Sequence, residues 1–396
     1  MSGLDALRFA GHRVADLAQR AGSTPFFALD GEAVGRRIRD LRSVLPERVL
    51  LCYAIKANPL PALLERMSTR VDGADVSSAG EIERALSAGF TGTQLGLTGP
   101  GKTDAALALA VRAGVRICAE STGEIERIAD TAEREGRAAR VALRANPDFP
   151  VTGTRVRMNG DSVFGIDCAQ IPAALQTLRA RQLEFGGFHY HCASRMLQAD
   201  TVNALHAHCT AHALQAADTA GLALPWLNLG GGFGIPAAEG EAALDIASVG
   251  RHLQSLDEGL RAVHPDGRIA LEPGRYLVGE AGIYVCRILE RKTVRGRVWL
   301  VVDGGTHHHL HATLQPDREQ PANLPMQLVQ HTPADDSECV SIAGPLCAPF
   351  DVLARDIVMP RAQPGDLLVV RQSGAYGASA SPSAFLGHPP AAELLL

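Results

Sequence analysis

Val49-Leu-Leu-Cys-Tyr-Ala-Ile-Lys56 is an apolar run of strand length that ends on a lysine, with Asn58, Pro59 and Pro61 interrupting the chain just beyond it. A run this short, with no polar alternation, reads as a strand covered on both faces, the kind found in parallel sheets. Seven similar runs follow: Gly73–Ser77, Gln94–Thr98, Val115–Ala119, Arg140–Arg144, Phe185–His191, Trp226–Gly230 and Ile269–Glu272. Stretches of helical period lie between them, such as Glu81–Leu86, Asp104–Val111 and Val202–Ala217. Eight β/α repeats over residues 31–280 predict a (β/α)8 barrel rather than a doubly wound sheet. Barrel chemistry collects where the strands end, and these runs end on Lys56, Ser77, Arg144, His191, Gly230 and Glu272.

Beyond residue 280 the pattern changes to β-branched, period-two runs, Ile283–Leu289, Val298–Val302, Cys339–Ile342 and Leu367–Arg371, separated by Gly, Pro and Asp. Residues 281–396 therefore read as a second domain, a β-sandwich or β-barrel, and Pro25–Asp30 as a strand that joins it from residues 1–30. The polar, Pro-rich segment from Asp317 to Asp336 reads as a mobile surface loop.

Composition narrows the function. A net charge of −5 with no Lys/Arg block gives no footprint for nucleic acid. Of 38 basic residues only Lys56, Lys102 and Lys292 are lysine. Eight cysteines without a CxxC pair, and an N-terminal stretch without a signal-peptide pattern, lead us to expect free thiols in the cytoplasm. The uncharged stretch Thr219–Ala238 holds Pro225, Pro236 and three glycines in a row, so no membrane span is expected there.

The strand ends carry a consistent chemistry. Lys56 at the barrel mouth can act as a nucleophilic amine when desolvation lowers its pKa. Leu229-Gly-Gly-Gly-Phe-Gly234 follows the seventh run, where barrels often hold phosphate on backbone N–H groups. Glu272 closes the eighth run, with Arg275 three residues on. A carboxylate facing a pyridine nitrogen keeps it protonated, so a lysine, a phosphate loop and a glutamate together describe a site for pyridoxal phosphate. In the second domain, Gly344-Pro-Leu-Cys-Ala-Pro-Phe-Asp351 sets Cys347 in a Gly/Pro-rich loop. His307, His308, His309 and His311, with His189 and His191, have no carboxylate at ligand spacing, and no metal is expected.

Tyr53-Ala-Ile-Lys-Ala-Asn58, the Gly230-Gly-Gly-Phe233 loop, Glu272-Pro-Gly-Arg275, Gly344-Pro-Leu-Cys347 with Asp351 four residues on, and Gly374-Ala-Tyr376 occur in that order. Together they resemble the fold-type III pyridoxal-phosphate decarboxylases, which include diaminopimelate and ornithine decarboxylases, over nearly the whole chain. The resemblance implies that Lys56 forms the Schiff base, Glu272 faces the pyridine nitrogen and His191 stacks on the ring. Ser194, Gly231, Gly232, Arg275 and Tyr376 would hold the phosphate, with Asp75 and Arg144 supporting the lysine and the pocket. It further implies a homodimer with shared active sites, in which Cys347 and Asp351 reach the partner's barrel and Cys347 acts near the carbon that loses carbon dioxide.

Departures from the family pattern bear on the substrate. Where the diaminopimelate enzymes carry Glu and the ornithine enzymes Asp directly after the cysteine, this chain has Ala348. A distal ammonium there loses a charge-assisted partner worth about 1.5–3 kcal/mol. The stacking motif reads His191-Cys-Ala-Ser-Arg195, which adds a cation at the mouth. Asp303-Gly-Gly-Thr-His-His-His309 and Phe385-Leu-Gly-His-Pro389 resemble the exosortase-associated branch, and Gly99-Pro-Gly-Lys-Thr-Asp104 resembles both that branch and the siderophore-pathway decarboxylases acting on a citrate–diaminopropionate conjugate. The expectation is an α-decarboxylase for a conjugated or carrier-linked amino acid, with Arg195, Ala348, Asp351 and Tyr376 as substrate contacts. The alternatives are a decarboxylase for free diaminopimelate, ornithine or lysine, and a racemase, whose pattern would set an arginine at the pyridine nitrogen in place of Glu272.

Overall fold

Eight parallel strands close into a ring in strict chain order. They are β1 (Leu50–Ala54), β2 (Gly73–Val76), β3 (Leu95–Leu97), β4 (Arg116–Ala119), β5 (Arg140–Asn146), β6 (Glu184–His189), β7 (Trp226–Asn228) and β8 (Arg268–Leu271). Each pairs with the next and β8 pairs with β1. The computed structural model describes residues 7–154, 156–237, 240–313, 323–329 and 336–396. Most of the Asp317–Asp336 segment lies outside these residues.

Local chemistry fixes where the barrel helices begin and end. Ser78, Thr103 and Ser121 each accept a backbone N–H from the first turn of the helix that follows a strand, satisfying a donor that has no partner inside the helix. Gly114, Gly136 and Gly221 end three helices in the left-handed conformation.

The strand β6 carries a bulge between Phe185 and Gly187. Gly187 has φ +108°, and a Cβ there would collide with the Trp226 carbonyl of β7, so only glycine allows the close approach of these strands. The resulting register sets His189 beside Arg144 on one side and Asn228 on the other. Within the barrel, Cys52, Cys118, Ala142, Trp226 and Ala270 pack together, and the Arg116 guanidinium lies 4.3 Å from the Trp226 ring centroid. Burial pushes the Cys52 and Cys118 thiols up, so both are protonated filling.

The chain divides into two units, one of Arg37–Ile235 with Ala243–Tyr276 and the other of Met1–Arg36, Pro236–Ala242 and Leu277–Leu396. The second unit is a β-sheet organised around the 13-residue strand Gly282–Val294, which pairs with Leu367–Arg371, Phe26–Leu29 and Arg297–Val302. Period two explains its two cores. Tyr284, Cys286, Ile288, Leu368, Val370 and Phe27 point to one face, and Ile283, Val285, Leu367, Val369, Phe26 and Ala28 to the other, where Val14 and Leu17 of the helix Val14–Ala21 cover them. The sheet curls so that Met326–Leu328 meets Val352–Pro360, and the Asn323 amide joins this edge through two hydrogen bonds to the Arg355 backbone.

Among the three lysines, Lys102 belongs wholly to the fold. Its side chain is 1% exposed, and its ammonium donates to Gly99 O at 2.7 Å, Cys118 O at 2.8 Å and the Glu124 carboxylate at 3.0 Å. Replacing Lys102 with Met leaves Glu124 buried and uncompensated. Stability should fall by about 3–5 kcal/mol, read as a lower denaturant midpoint at constant m-value, and a loss below about 1 kcal/mol would show that the pair is solvated.

Candidate active site

Lys56 stands in the short turn Ile55–Ala57 directly after β1. Its ammonium lies 2.6 Å from Asp75 Oδ2 at the end of β2. The Asp75 side chain is fully buried while that of Lys56 stays 37% exposed, so the amine is oriented by its partner yet open to a reactant. Asp75 in turn accepts from the Thr98 hydroxyl at 2.7 Å, which joins the ends of β1, β2 and β3.

Glu272 follows β8 and is 3% exposed. Its Oε2 meets His189 Nε2 at 3.1 Å and its Oε1 accepts from the Asn228 amide. Burial alone would raise this carboxyl. The charge and hydrogen bond of His189, the Lys56 ammonium and the Asn228 hydrogen bond outweigh burial and hold it below its usual 4.5. The group is an anion at neutral pH. The glycine loop presses onto this strand end: a Cβ on Gly231 would collide with the Glu272 carbonyl, and the Gly231 N–H donates to His191 Nδ1 at 3.3 Å. Burial, reinforced by the positive Lys56 and Arg144, pushes the His191 imidazole well below its usual 6.5, so the ring is neutral.

The opposite wall is another ion pair. Arg144 on β5 donates to Glu120 at 2.8 Å, and the same carboxylate accepts the Gly99 N–H at 2.7 Å and the Gly165 N–H at 3.0 Å. Burial would raise Glu120, but Arg144 and Lys102 hold it lowered. Ser194 and Arg195 follow β6. Ser194 O accepts from the Thr154 hydroxyl at 2.6 Å, and Arg195 adopts φ +59°. Gly232 O accepts from Met196 N at 2.9 Å, tying the glycine loop to that segment. Thus Lys56, Asp75, Arg144, His191, Ser194, Arg195, Gly231, Gly232, Glu272 and Arg275 all fall in the barrel unit.

Sequence reasoning overlooked Glu120 and Asn228, and weighed His189 only as a metal ligand. Glu120 follows the Val115–Ala119 run by one residue and could have been found as another polar strand end. His189 and Asn228 sit inside apolar runs, where spacing gives no signal.

In the second unit, the carboxylate of Asp351, a substrate contact by the resemblance, is bonded within its own loop. It is 2% exposed, accepting from Thr306 N and Oγ1 at 2.7 and 2.8 Å and from Leu346 N at 2.8 Å. It braces the loop on which Cys347 is exposed and Ala348 half-buried. Tyr376 has φ +55° and its ring lies 5.6 Å from that of His311. The His307 ring centroid lies 3.7 Å from that of His308 and 4.6 Å from that of His388, tilted by 43° and 42°, and burial pushes its pKa down to about 4. Among the described residues no group of His, Cys, Asp or Glu is arranged to hold a metal, and no helix is long and apolar enough to cross a membrane.

An amine at a barrel mouth, an ionised glutamate bonded by an amide and an imidazole, a neutral histidine and a glycine loop form the donor set of a pyridoxal-phosphate enzyme. Residues 32–279 match the pyridoxal binding domain of the pyridoxal-dependent decarboxylases, and the chain belongs to that family. It is 36% identical over 379 residues to an L-glutamyl-[BtrI acyl-carrier protein] decarboxylase of Niallia circulans, covering 94% of this chain and 88% of that protein. It is 30% identical to the 2-[(L-alanin-3-ylcarbamoyl)methyl]-2-hydroxybutanedioate decarboxylase of Staphylococcus aureus, covering 89% of each. A diaminopimelate decarboxylase of Deinococcus radiodurans is 32% identical, with 97% and 93% covered. In structure the chain is similar to diaminopimelate decarboxylase from Helicobacter pylori complexed with L-lysine, with a TM-score of 0.86, 24% identity and 96% and 94% covered.

Two outcomes follow from this geometry. Borohydride treatment of the loaded protein should leave the cofactor covalently attached at Lys56, read by peptide mass; attachment at another residue, or none, would remove Lys56 from its role. Glu120 and Glu272 both have lowered folded pKa values, so their stabilisation is complete above the ordinary 4.5 and is lost as pH falls through the folded values. The thermal midpoint should drop below about pH 4.5, and Glu120→Gln should flatten that acid limb; an unchanged limb excludes Glu120.

Proposed function

We propose that this decarboxylase acts on an α-amino acid presented as a conjugate, with the distal end of the substrate carried by a citrate-like or carrier-protein remainder. The observation that carries this reading is Ala348, which supplies no carboxylate beside Cys347 for a distal ammonium. The similarity to a carrier-protein glutamyl decarboxylase and to a decarboxylase of a citrate–diaminopropionate conjugate supports it, and the resemblance of Gly99-Pro-Gly-Lys-Thr-Asp104 to the siderophore-pathway branch suggests a role in siderophore biosynthesis.

Pyridoxal phosphate, when bound, supplies an electron sink for the charge left by the departing carboxylate. Lys56 would hold its aldehyde, with Asp75 keeping the amine aimed. Glu272 would keep the ring nitrogen protonated, and the neutral His191 would lie against the ring face. Gly231, Gly232, Ser194, Arg275 and Tyr376 would receive the phosphate, while Arg144 supports the pocket wall. Cys347 would deliver a proton to the decarboxylated carbon, and Arg195 would contact an acidic remainder.

Under this reading the protein is a cytoplasmic homodimer with shared sites, Cys347 and Asp351 being offered to the partner's barrel. In a mixing experiment, inactive Lys56→Ala and Cys347→Ala proteins should together regain activity, since one site in the mixed dimer is intact; no recovery would mean that each chain completes its own site.

Carbon dioxide release should be brisk from a glutamyl-loaded carrier protein or a citrate–diaminopropionate conjugate. Free lysine, ornithine and diaminopimelate should lose roughly ten- to a hundredfold in kcat/KM for want of the ionic partner. Fast release from any of the three would overturn the argument from Ala348 and favour the free amino acid.

A further inference from the structure

We propose that Asn228 is a positioning residue that ties the two ends of the cofactor site together, holding the Glu272 carboxylate in register with the glycine loop. The proposal rests on the reading of Glu272 as the ring-nitrogen partner and of the loop as the phosphate seat.

Asn228 is the last residue of β7 and is completely buried. Its amide nitrogen donates to Glu272 Oε1, and its amide oxygen accepts the Gly230 N–H at 2.7 Å. The second bond closes a side-chain turn onto the residue two positions on, a geometry that Asn favours. The Glu272 N–H in turn donates to Gly230 O at 2.7 Å. Three hydrogen bonds therefore form a closed cycle through Asn228, Glu272 and Gly230. Neither end of the cycle can shift without breaking a buried bond.

The cycle also fixes which side chain can stand here. Rotating the amide by half a turn would set its oxygen against the Glu272 carboxylate and its NH2 against the Gly230 N–H. Aspartate keeps the turn but opposes the carboxylate with a like charge, and leucine leaves two buried polar groups without partners. His189 holds the other carboxylate oxygen at 3.1 Å. The register that places His189 beside Asn228 thus fixes both oxygens from adjacent strands.

Two ligands without an aldehyde, 4-deoxypyridoxine 5′-phosphate and 4-deoxypyridoxine, probe both ends while excluding covalent attachment to Lys56. Their affinities for cofactor-free protein, read by tryptophan fluorescence across a pH series, give the advantage conferred by the phosphate. Asn228→Ala should reduce that advantage about tenfold. It should also move the acid-side loss of binding to higher pH, because Glu272 loses a donor that lowers its pKa. Asn228→Ser retains a hydroxyl for the turn but cannot reach Glu272, so it should keep the phosphate advantage and still show the pH shift. Equal weakening of both ligands with an unmoved pH dependence would overturn the proposal. If the alanine variant does not fold, the serine variant decides alone by the same pH criterion. Wild-type protein with no preference for the phosphate form would instead overturn the reading of the site itself.

Discussion

An ionised carboxylate buried at the end of a barrel strand is the constraint around which this site is arranged. Taking the Glu272 charge out of water is costly, and burial by itself pushes its pKa up. The fold prevents this with an imidazole and an amide from the two preceding strands, which pair in sequence as β6–β7–β8. The β6–β7 pairing depends on Gly187, since any side chain there would hold β6 away from β7 and carry His189 out of reach. A backbone detail far from the chemistry in sequence therefore decides the charge of a group at its centre.

Around that anion the other strand ends are braced in pairs. Lys56, Asp75 and Thr98 join β1 to β3, and Lys102, Glu124, Glu120 and Arg144 join β3 to β5. The two barrel lysines show how environment separates structure from reactivity. Lys102 spends its donors on two carbonyls and a carboxylate and is sealed from solvent, whereas Lys56 is aligned by Asp75 but keeps over a third of its side chain exposed. Both belong to ion pairs, but only Lys56 is accessible to an aldehyde.

The eight barrel strands and the period-two strands after residue 280 were legible because burial on two faces or on one leaves a direct mark on residue order. Lys56 and Glu272 were legible as polar ends of apolar runs. Asn228 and His189 were not, because their partners are set by the order of strands around a closed ring, which no local window contains. The strand Val352–Pro360 was hidden for another reason. Arg355 and Asp356 interrupt its apolar pattern where the register shifts against Ser337–Ala343, and Asp356 takes φ +51°, so the alternation is broken where the strand bends.

The loop carrying Cys347 shows how far a residue's role depends on what its neighbours demand of it. Thr306 and Leu346 engage both oxygens of Asp351, and the close approach of Gly305 and Gly344 leaves no room for a side chain over that carboxylate. Moving Asp351 toward a substrate would break these bonds and release the loop. Left in place, it gives Cys347 a fixed backbone while the thiol remains exposed. Asp351 is bonded to its own loop, and Ala348, directly after Cys347, contributes only a methyl group. On the proposed function, discrimination by this loop would fall to shape and to whatever the distal part of the substrate brings with it, which suits a substrate whose far end is large and already occupied.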